Sequence, residues 1–304
     1  MRASRTRPIG GHLAFPLLFL ACILAATLMA EELAAEVKGG LRLAVGTIIP
    51  SLFPFMILSD VIASVSSGGG ARLFTRPVER LFGVGTVSAR AFLVGSIAGA
   101  PIAASMLARA RDEGLASDGE VARVLAISSS PSLAFAVSGV GAAMWDDVRL
   151  GLLLYLSVIT ASVIFGLLAR GRGGHHTGGG DACPSFDLMA TIERATFSSI
   201  RVIGVVTAFS VLSGLAARFS ATAPFVIPLL EVGNAASYLS EYGLSPSTAL
   251  ALTAFALGFS GISVHLQVRS AIGKRVSYPR FLAAKIAIGL GSAVIFSLLR
   301  WLIT

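Results

Sequence analysis

Leu150 to Ala169 reads LGLLLYLSVITASVIFGLLA, twenty residues without a charge. A helix of about that length rises roughly 30 Å, the thickness of a bilayer's hydrocarbon core. Its apolar side chains cover every face, so no stripe marks one side for a soluble core. A barrel strand would alternate apolar and polar residues over about 10 positions, and this stretch does not. Phe281 to Leu299 is read in the same way, as apolar on every face. The surrounding chain of 304 residues is 55% hydrophobic and 13% charged, with a mean hydropathy of +0.82. One globular core cannot bury that apolar content, which excludes an ordinary soluble enzyme.

The formal charge of +8 comes from 24 basic against 16 acidic residues. The arginines stand in short segments between apolar runs, where they orient helices in a membrane, and no stretch interleaves them with aromatics as a nucleic-acid groove would. No nucleic-acid partner is expected. Cys22 and Cys183 offer neither metal spacing nor a disulfide framework. His175 and His176, set among glycines, are read as part of a solvated linker rather than as metal ligands.

Arg2, Arg5 and Arg7 precede the uncharged run Leu13 to Ala30, an arrangement that fits a signal peptide or a first transmembrane anchor. The run exceeds the 7 to 15 residues of a cleaved signal, and the anchor with a cytoplasmic N-terminus is the reading taken. Glu31 to Lys38 is expected as a short interfacial helix. Leu41 to Val65 is a second span, kinked by Pro50 and Pro54 and carrying Asp60 near its end. Ser66 to Arg90 joins a Gly68-Gly69-Gly70 turn to an amphipathic piece in the headgroup layer. Ala91 to Ala108 is a small-residue helix, Val121 to Met144 contains the polar break Ser128-Ser129-Ser130-Pro131-Ser132, and Gly171 to Asp181 separates two halves. The second half brings amphipathic Phe186 to Ile200, a span over Val202 to Ala217, the short polar-bearing segment Phe225 to Tyr242, and spans over Thr248 to Val268 and Phe281 to Leu302.

The two halves share an order of elements: a punctured span, an interfacial segment, a small-residue helix broken by Gly and Ser, a charged loop and another hydrophobic helix. A gapless alignment of Ala91 on Ala254 places Phe92 on Phe255, Gly95 on Gly258 and Ala108 on Ala271. Charge supplies an independent reading. Ser66 to Arg90 has net charge +3 and its counterpart Arg218 to Ser245 has −1, whereas Arg109 to Arg123 has −1 and its counterpart Arg269 to Arg280 has +4. Positive loops prefer the cytoplasm, so the halves are expected in opposite orientations. The fold class expected is an all-α polytopic membrane protein, an inverted-repeat helical bundle with broken or re-entrant helices and about 8 transmembrane helices. Val121 to Met144 either crosses or re-enters, and re-entry, bent at Ser128 to Ser132, balances the count.

Several stretches resemble the sporulation integral membrane protein family of YlbJ type, which carries the nucleoside-recognition or Gate domain. They are Gly46-Thr47-Ile48-Ile49-Pro50-Ser51-Leu52-Phe53-Pro54-Phe55, Gly95 to Pro101 continuing into Met106-Leu107-Ala108-Arg109, Glu113-Gly114-Leu115, Ser128 to Pro131, Leu230-Glu231 with Asn234, and Gly261-Ile262-Ser263-Val264-His265-Leu266-Gln267. The resemblance extends from about Leu41 to Leu302. It implies a permease-like membrane protein with Gate repeats, over residues 41–169 and 186–304, flanked by an N-terminal anchor and interfacial segment in 1–40 and a Gly-rich linker in 170–185. In spore formers it is linked to passage of a small anion such as dipicolinate.

Glu231 and Asn234 share a face if their segment is helical. A carboxylate at the bilayer centre costs about 2.5 to 3.5 kcal/mol, so it needs a partner, a proton or a watery cavity. One reading makes Glu231 a substrate or coupling-ion contact, and the other leaves it solvated at the surface. Ser260, Ser263 and Gln267 fall at i, i+3 and i+7, one polar stripe on an apolar helix. If Gly258 to Ser263 instead unwinds, freed amides and a half-helix N-terminus face a cavity suited to an anion. Ser96, Gly99, Ser128, Ser129, Ser130 and Ser132 form the matching lining in the first half. The competing reading is that Gly and Ser at these spacings let helices pack closely in lipid. His265 is open between a lining role and a packing histidine bonded to a backbone carbonyl.

Gly258-Phe259-Ser260-Gly261 also matches the G-x-S-G of intramembrane serine proteases. His265, five residues on, stands about 140° round a regular helix and cannot serve Ser260 as base there. The expectation is therefore not an enzyme but a cell inner-membrane transporter of a small polar or anionic solute, nucleoside-like or dicarboxylate. Its alternative is a non-transporting scaffold or sporulation assembly factor, with an intramembrane protease as the remote third. Membrane lipid, the solute, a coupling H+ or Na+ and a homo-oligomer are the expected partners, with no cofactor.

Overall fold

The computed structural model describes residues 20, 23–24, 27–65, 71–170, 187–219, 221–273 and 276–303. Most of the Leu13 to Ala30 run, Cys22, the Gly68 to Gly70 turn, and the linker with His175, His176 and Cys183 lie outside them. The elements are α1 (Ala30–Leu43), a π-helical turn (Ala44–Ile48), α2 (Ile49–Val65), α3 (Ala71–Phe82), α4 (Thr86–Ala98), α5 (Ala100–Asp112), α6 (Asp118–Ser128) and a π-helical stretch (Phe135–Met144). Then come α7 (Val148–Leu168), α8 (Leu188–Ala217), α9 (Ala223–Leu230), α10 (Val232–Glu241), α11 (Pro246–Phe259), α12 (Gly261–Ile272) and α13 (Tyr278–Ile303). Among the described residues no strand occurs, as expected of an all-α polytopic membrane protein.

Among the described residues five runs are long and apolar enough to cross a bilayer: Ala30–Leu58, Val148–Leu168, Leu188–Ala217, Pro246–Ile272 and Tyr278–Ile303. A sixth is counted if Leu73–Phe82 and Thr86–Ala98, bent by 103°, form one span. The expected count of about eight falls because Val121 to Met144 divides into pieces of 11 and 10 residues, each short of the roughly 20 needed. The first apolar run adds nothing to the described spans.

Two expected boundaries shift. Glu31 to Lys38 is not a separate interfacial helix but the start of a rod that continues through α1, the π turn and α2. Glu31 and Glu32 lie in its first turn, where carboxylates meet the positive end of the helix dipole. The π turn falls just before Pro50, whose ring would otherwise meet the carbonyl of Gly46 and which has no amide to close the i to i−4 bond there. Likewise Phe186 to Ile200 and Val202 to Ala217 fuse into the 30-residue α8. Neither Pro nor a positive φ interrupts it, and Arg201 points outward, so the hydrogen-bond ladder runs on.

Several helix starts are written in the sequence. Ser117, Asp147, Asp187 and Ser245 cap α6, α7, α8 and α11, each accepting a backbone amide from the first turn. The interior is built by close approach, since lipid offers no hydrophobic drive between helices. At the crossing of α11 and α13, a Cβ on Gly258 would stand 2.9 Å from the Gly289 Cα. Leu290, Val294, Leu298 and Trp301 of α13 point outward, and Lys285, Ile288, Ser292 and Phe296 point inward. This inward face of α13 positions the site.

Candidate functional site: four helix breaks at one crossing

Among the described residues, four helix breaks meet at one crossing. The first break is Gly99, between α4 and α5, at φ +98, a conformation that L side chains rarely adopt. The second is Ser129-Ser130-Pro131, after α6, where Pro131 lacks the amide that would continue the ladder to Ile127. Ser132 restarts the helix there, its hydroxyl accepting from the Phe135 amide at 3.1 Å. The third is Glu231, extended between α9 and α10, whose carboxylate accepts the Asn234 amide at 2.7 Å and so caps α10. The fourth is Ser260-Gly261, with both residues at positive φ, +73 and +67, between α11 and α12.

These breaks touch in sequence. The Ala100 amide donates to the Ser130 carbonyl at 3.1 Å, joining the first break to the second. The Ser260 hydroxyl donates to the Ser129 carbonyl at 2.8 Å, joining the second to the fourth. Gly261 lies against the third, where a Cβ would come within 3.0 Å of the Leu230 carbonyl and 3.2 Å of the Glu231 amide nitrogen. Gly99, Ser128, Ser129, Ser130, Ser132, Glu231, Ser260 and Ser263 are all buried. Buried polar backbone in a membrane protein must be satisfied internally or line a cavity, and these contacts supply internal partners. The hydroxyls of Ser129 and Ser130 are buried without a hydrogen-bond partner.

The residues expected from sequence divide between this crossing and its supports. Ser129, Ser130, Ser260, Gly99 and Glu231 meet there. Ser96 is half-buried one turn before Gly99; its hydroxyl bonds back to Phe92, and its carbonyl accepts the Tyr155 hydroxyl of α7 at 2.8 Å. The Ser128 hydroxyl likewise bonds back to Val124. Asn234 shares the α10 start with Glu231, but its side chain ties α10 to α8: Oδ1 accepts from Ser210 at 2.7 Å. Ser260, Ser263 and Gln267 do not form one stripe on a regular helix, because Ser260 lies outside α12 in the left-handed region. Gln267 donates to the Ser263 carbonyl within α12 at 3.4 Å. Unwinding is confined to Ser260 and Gly261, with Gly258 and Phe259 still helical.

His265 Nε2 lies 2.8 Å from the Phe259 carbonyl, and its ring packs among Phe259, Tyr278 and Phe281. It is the packing histidine bonded to a backbone carbonyl, turned to the α11 end rather than to the Ser260 hydroxyl.

Lys285 is the residue that sequence reading passed over. It sits within Phe281 to Leu299, which therefore is not apolar on every face. Its side chain is completely buried, and Nζ donates to the Ser129 carbonyl at 2.7 Å, the same oxygen that Ser260 reaches. That carbonyl is at the C-terminal end of α6, where the helix dipole favours a cation. The signal was available: an ionisable residue inside a membrane span is rare and marks a functional position by default.

No family model matches the chain, and no solved structure matches it. A search of curated proteins finds similarity to the sporulation integral membrane protein YlbJ of Bacillus subtilis (strain 168), 25% identical over 87% of this chain and 76% of that protein. The similarity spans both sets of helix breaks and agrees with the resemblance read from the motifs. The chain is a polytopic α-helical membrane protein similar to YlbJ.

Proposed function

We propose that the protein is a permease that carries a small polar or anionic solute, nucleoside-like or a dicarboxylate of dipicolinate type, across the membrane at the crossing of the four broken helices. The observation that carries this reading is the Ser129 carbonyl, freed by a helix break and shared by Ser260 from a second break and Lys285 from a third helix. Discontinuous helices whose ends meet near mid-membrane are the usual site of secondary transporters. Under this reading residues 41–169 and 186–304 are two Gate-like repeats of opposite orientation, the N-terminus is cytoplasmic, and the driving ion is H+ or Na+. A link to sporulation is taken from the similar protein YlbJ, a sporulation integral membrane protein.

The contrasting reading is a membrane scaffold in which the same polar groups only pack helices. The position of Ser129 and Ser130 favours the first: their buried, unpartnered hydroxyls stand on the non-helical stretch whose Ser129 carbonyl takes both Ser260 and Lys285. Hydrolytic chemistry is not part of the proposal: the partners of the Ser260 hydroxyl are the Ser129 and Leu257 carbonyls.

Reconstitution into proteoliposomes tests the reading. Time-dependent uptake of dipicolinate, succinate or uridine above protein-free vesicles, lost in the Ser260→Leu, Glu231→Gln double variant, supports it. Absence of flux for all three, with the double variant leaving the cell's phenotype intact, supports the scaffold.

A further inference from the structure

We infer that Lys285 is the specificity-determining residue of this site, holding a small organic carboxylate by its ammonium together with the hydroxyls of Ser129 and Ser130. The inference rests on the transport reading above and narrows its solute to an anion.

The argument starts from the charge. Lys285 is completely buried within a 26-residue apolar helix, and among the described residues no carboxylate pairs with it. An ammonium has three N–H donors, and the Ser129 carbonyl takes one. A neutral carbonyl fixes where the ammonium stands without neutralising it, and an uncompensated buried cation is costly. A carboxylate supplies the missing charge and acceptors for the remaining donors.

The surroundings have the matching chemistry. The Ser129 and Ser130 hydroxyls are buried, unpartnered donors on the residue that Lys285 contacts and on its neighbour. Two helices, α5 and α12, begin at the breaks with no side chain capping them, so the positive ends of their dipoles are left for a ligand. The buried acid of the crossing, Glu231, is engaged by the α10 amide of Asn234. Lys285 and the two uncapped helix starts thus offer positive groups where the breaks meet, which suits an anion.

The test uses the detergent-purified full chain and reads ligand-induced shifts of the melting temperature with succinate, benzoate and uridine. Wild type is expected to be stabilised by a carboxylate and not by uridine. Lys285→Met is expected to need about a hundredfold more of that carboxylate, and Lys285→Arg to stay within about tenfold of wild type. If Lys285→Met fails to fold, the Ser129→Ala, Ser130→Ala double variant decides. Those hydroxyls hold no partner, so their loss leaves the fold intact, and carboxylate binding is expected to weaken about tenfold. Equal carboxylate binding by either variant and wild type overturns the inference. Stabilisation by uridine alone overturns it while sparing the transport reading. Absence of any stabilisation, together with absence of uptake for every solute in proteoliposomes, overturns both.

Discussion

The Lys285 Nζ lies 2.7 Å from the carbonyl oxygen of Ser129, 156 residues earlier in the chain. This contact links the inward face of the last helix to a helix break in the first half. The Ser260 hydroxyl meets the same oxygen, so the two halves are held at one point by two donors.

Ser260 holds φ +73 and donates to Ser129, which sets an order among its substitutions. Ser260→Gly loses the hydrogen bond but relieves the backbone. Ser260→Ala loses the bond, at about 1 kcal/mol, and keeps the left-handed cost. Ser260→Val adds β-branching at positive φ, for about 1 to 2 kcal/mol more. Melting temperatures in detergent should therefore fall in the order Gly, Ala, Val; a Val variant as stable as Ala contradicts the assigned backbone.

Gly261 and Gly204 form a matched pair. A Cβ at Gly261 meets the Leu230 carbonyl at 3.0 Å and sits at φ +67, whereas one at Gly204 in α8 meets nothing within 4 Å. Gly261→Ala is expected to destabilise by about 1 to 3 kcal/mol. Gly204→Ala is expected to be neutral or to stabilise by up to about 1 kcal/mol, through helix propensity. Thermal unfolding of the two variants side by side checks this.

Glu231 caps α10 through a carboxylate oxygen, a job the amide oxygen of glutamine can also do. Glu231→Ala should cost about 1 kcal/mol of stability and Glu231→Gln clearly less. A Gln variant that melts normally but no longer takes up solute assigns Glu231 a role in transport beyond the cap.

His265 is spent on packing. Removing it in His265→Ala deletes the bond to the Phe259 carbonyl and ring contacts with Phe259 and Phe281 at 4.7 and 5.1 Å. The expected loss is about 2 to 4 kcal/mol, read from the melting temperature. A fluorophosphonate should leave Ser260 unlabelled, and labelling observed by mass spectrometry would revive the protease alternative.

The breaks were legible because their causes are local. Pro131 removes an amide, Gly99 accepts a positive φ, and polar Glu231 interrupts an apolar run, all without reference to the rest of the fold. What joins them was not legible. That Ser260 reaches Ser129 depends on packing across 131 residues of sequence, and no pattern of spacing encodes it. Lys285 escaped for a different reason: a mean hydropathy over Phe281 to Leu299 dilutes one cation, although a single intramembrane charge outweighs its neighbours energetically. Helix fusion was missed at Glu31 to Lys38 and at Arg201 because exposed charges end a hydrophobic run without ending a helix.

The central claim is that solute reaches the crossing of the broken helices. It is tested most directly by single cysteines at Ser130 and Ser260, with Cys22 and Cys183 replaced, treated with a small water-soluble thiol reagent in membranes. The account predicts that both positions react, in spite of their burial in this conformation, and that a transported solute protects both. Two cysteines inert to the reagent, or reacting at a rate the solute leaves unchanged, would contradict it.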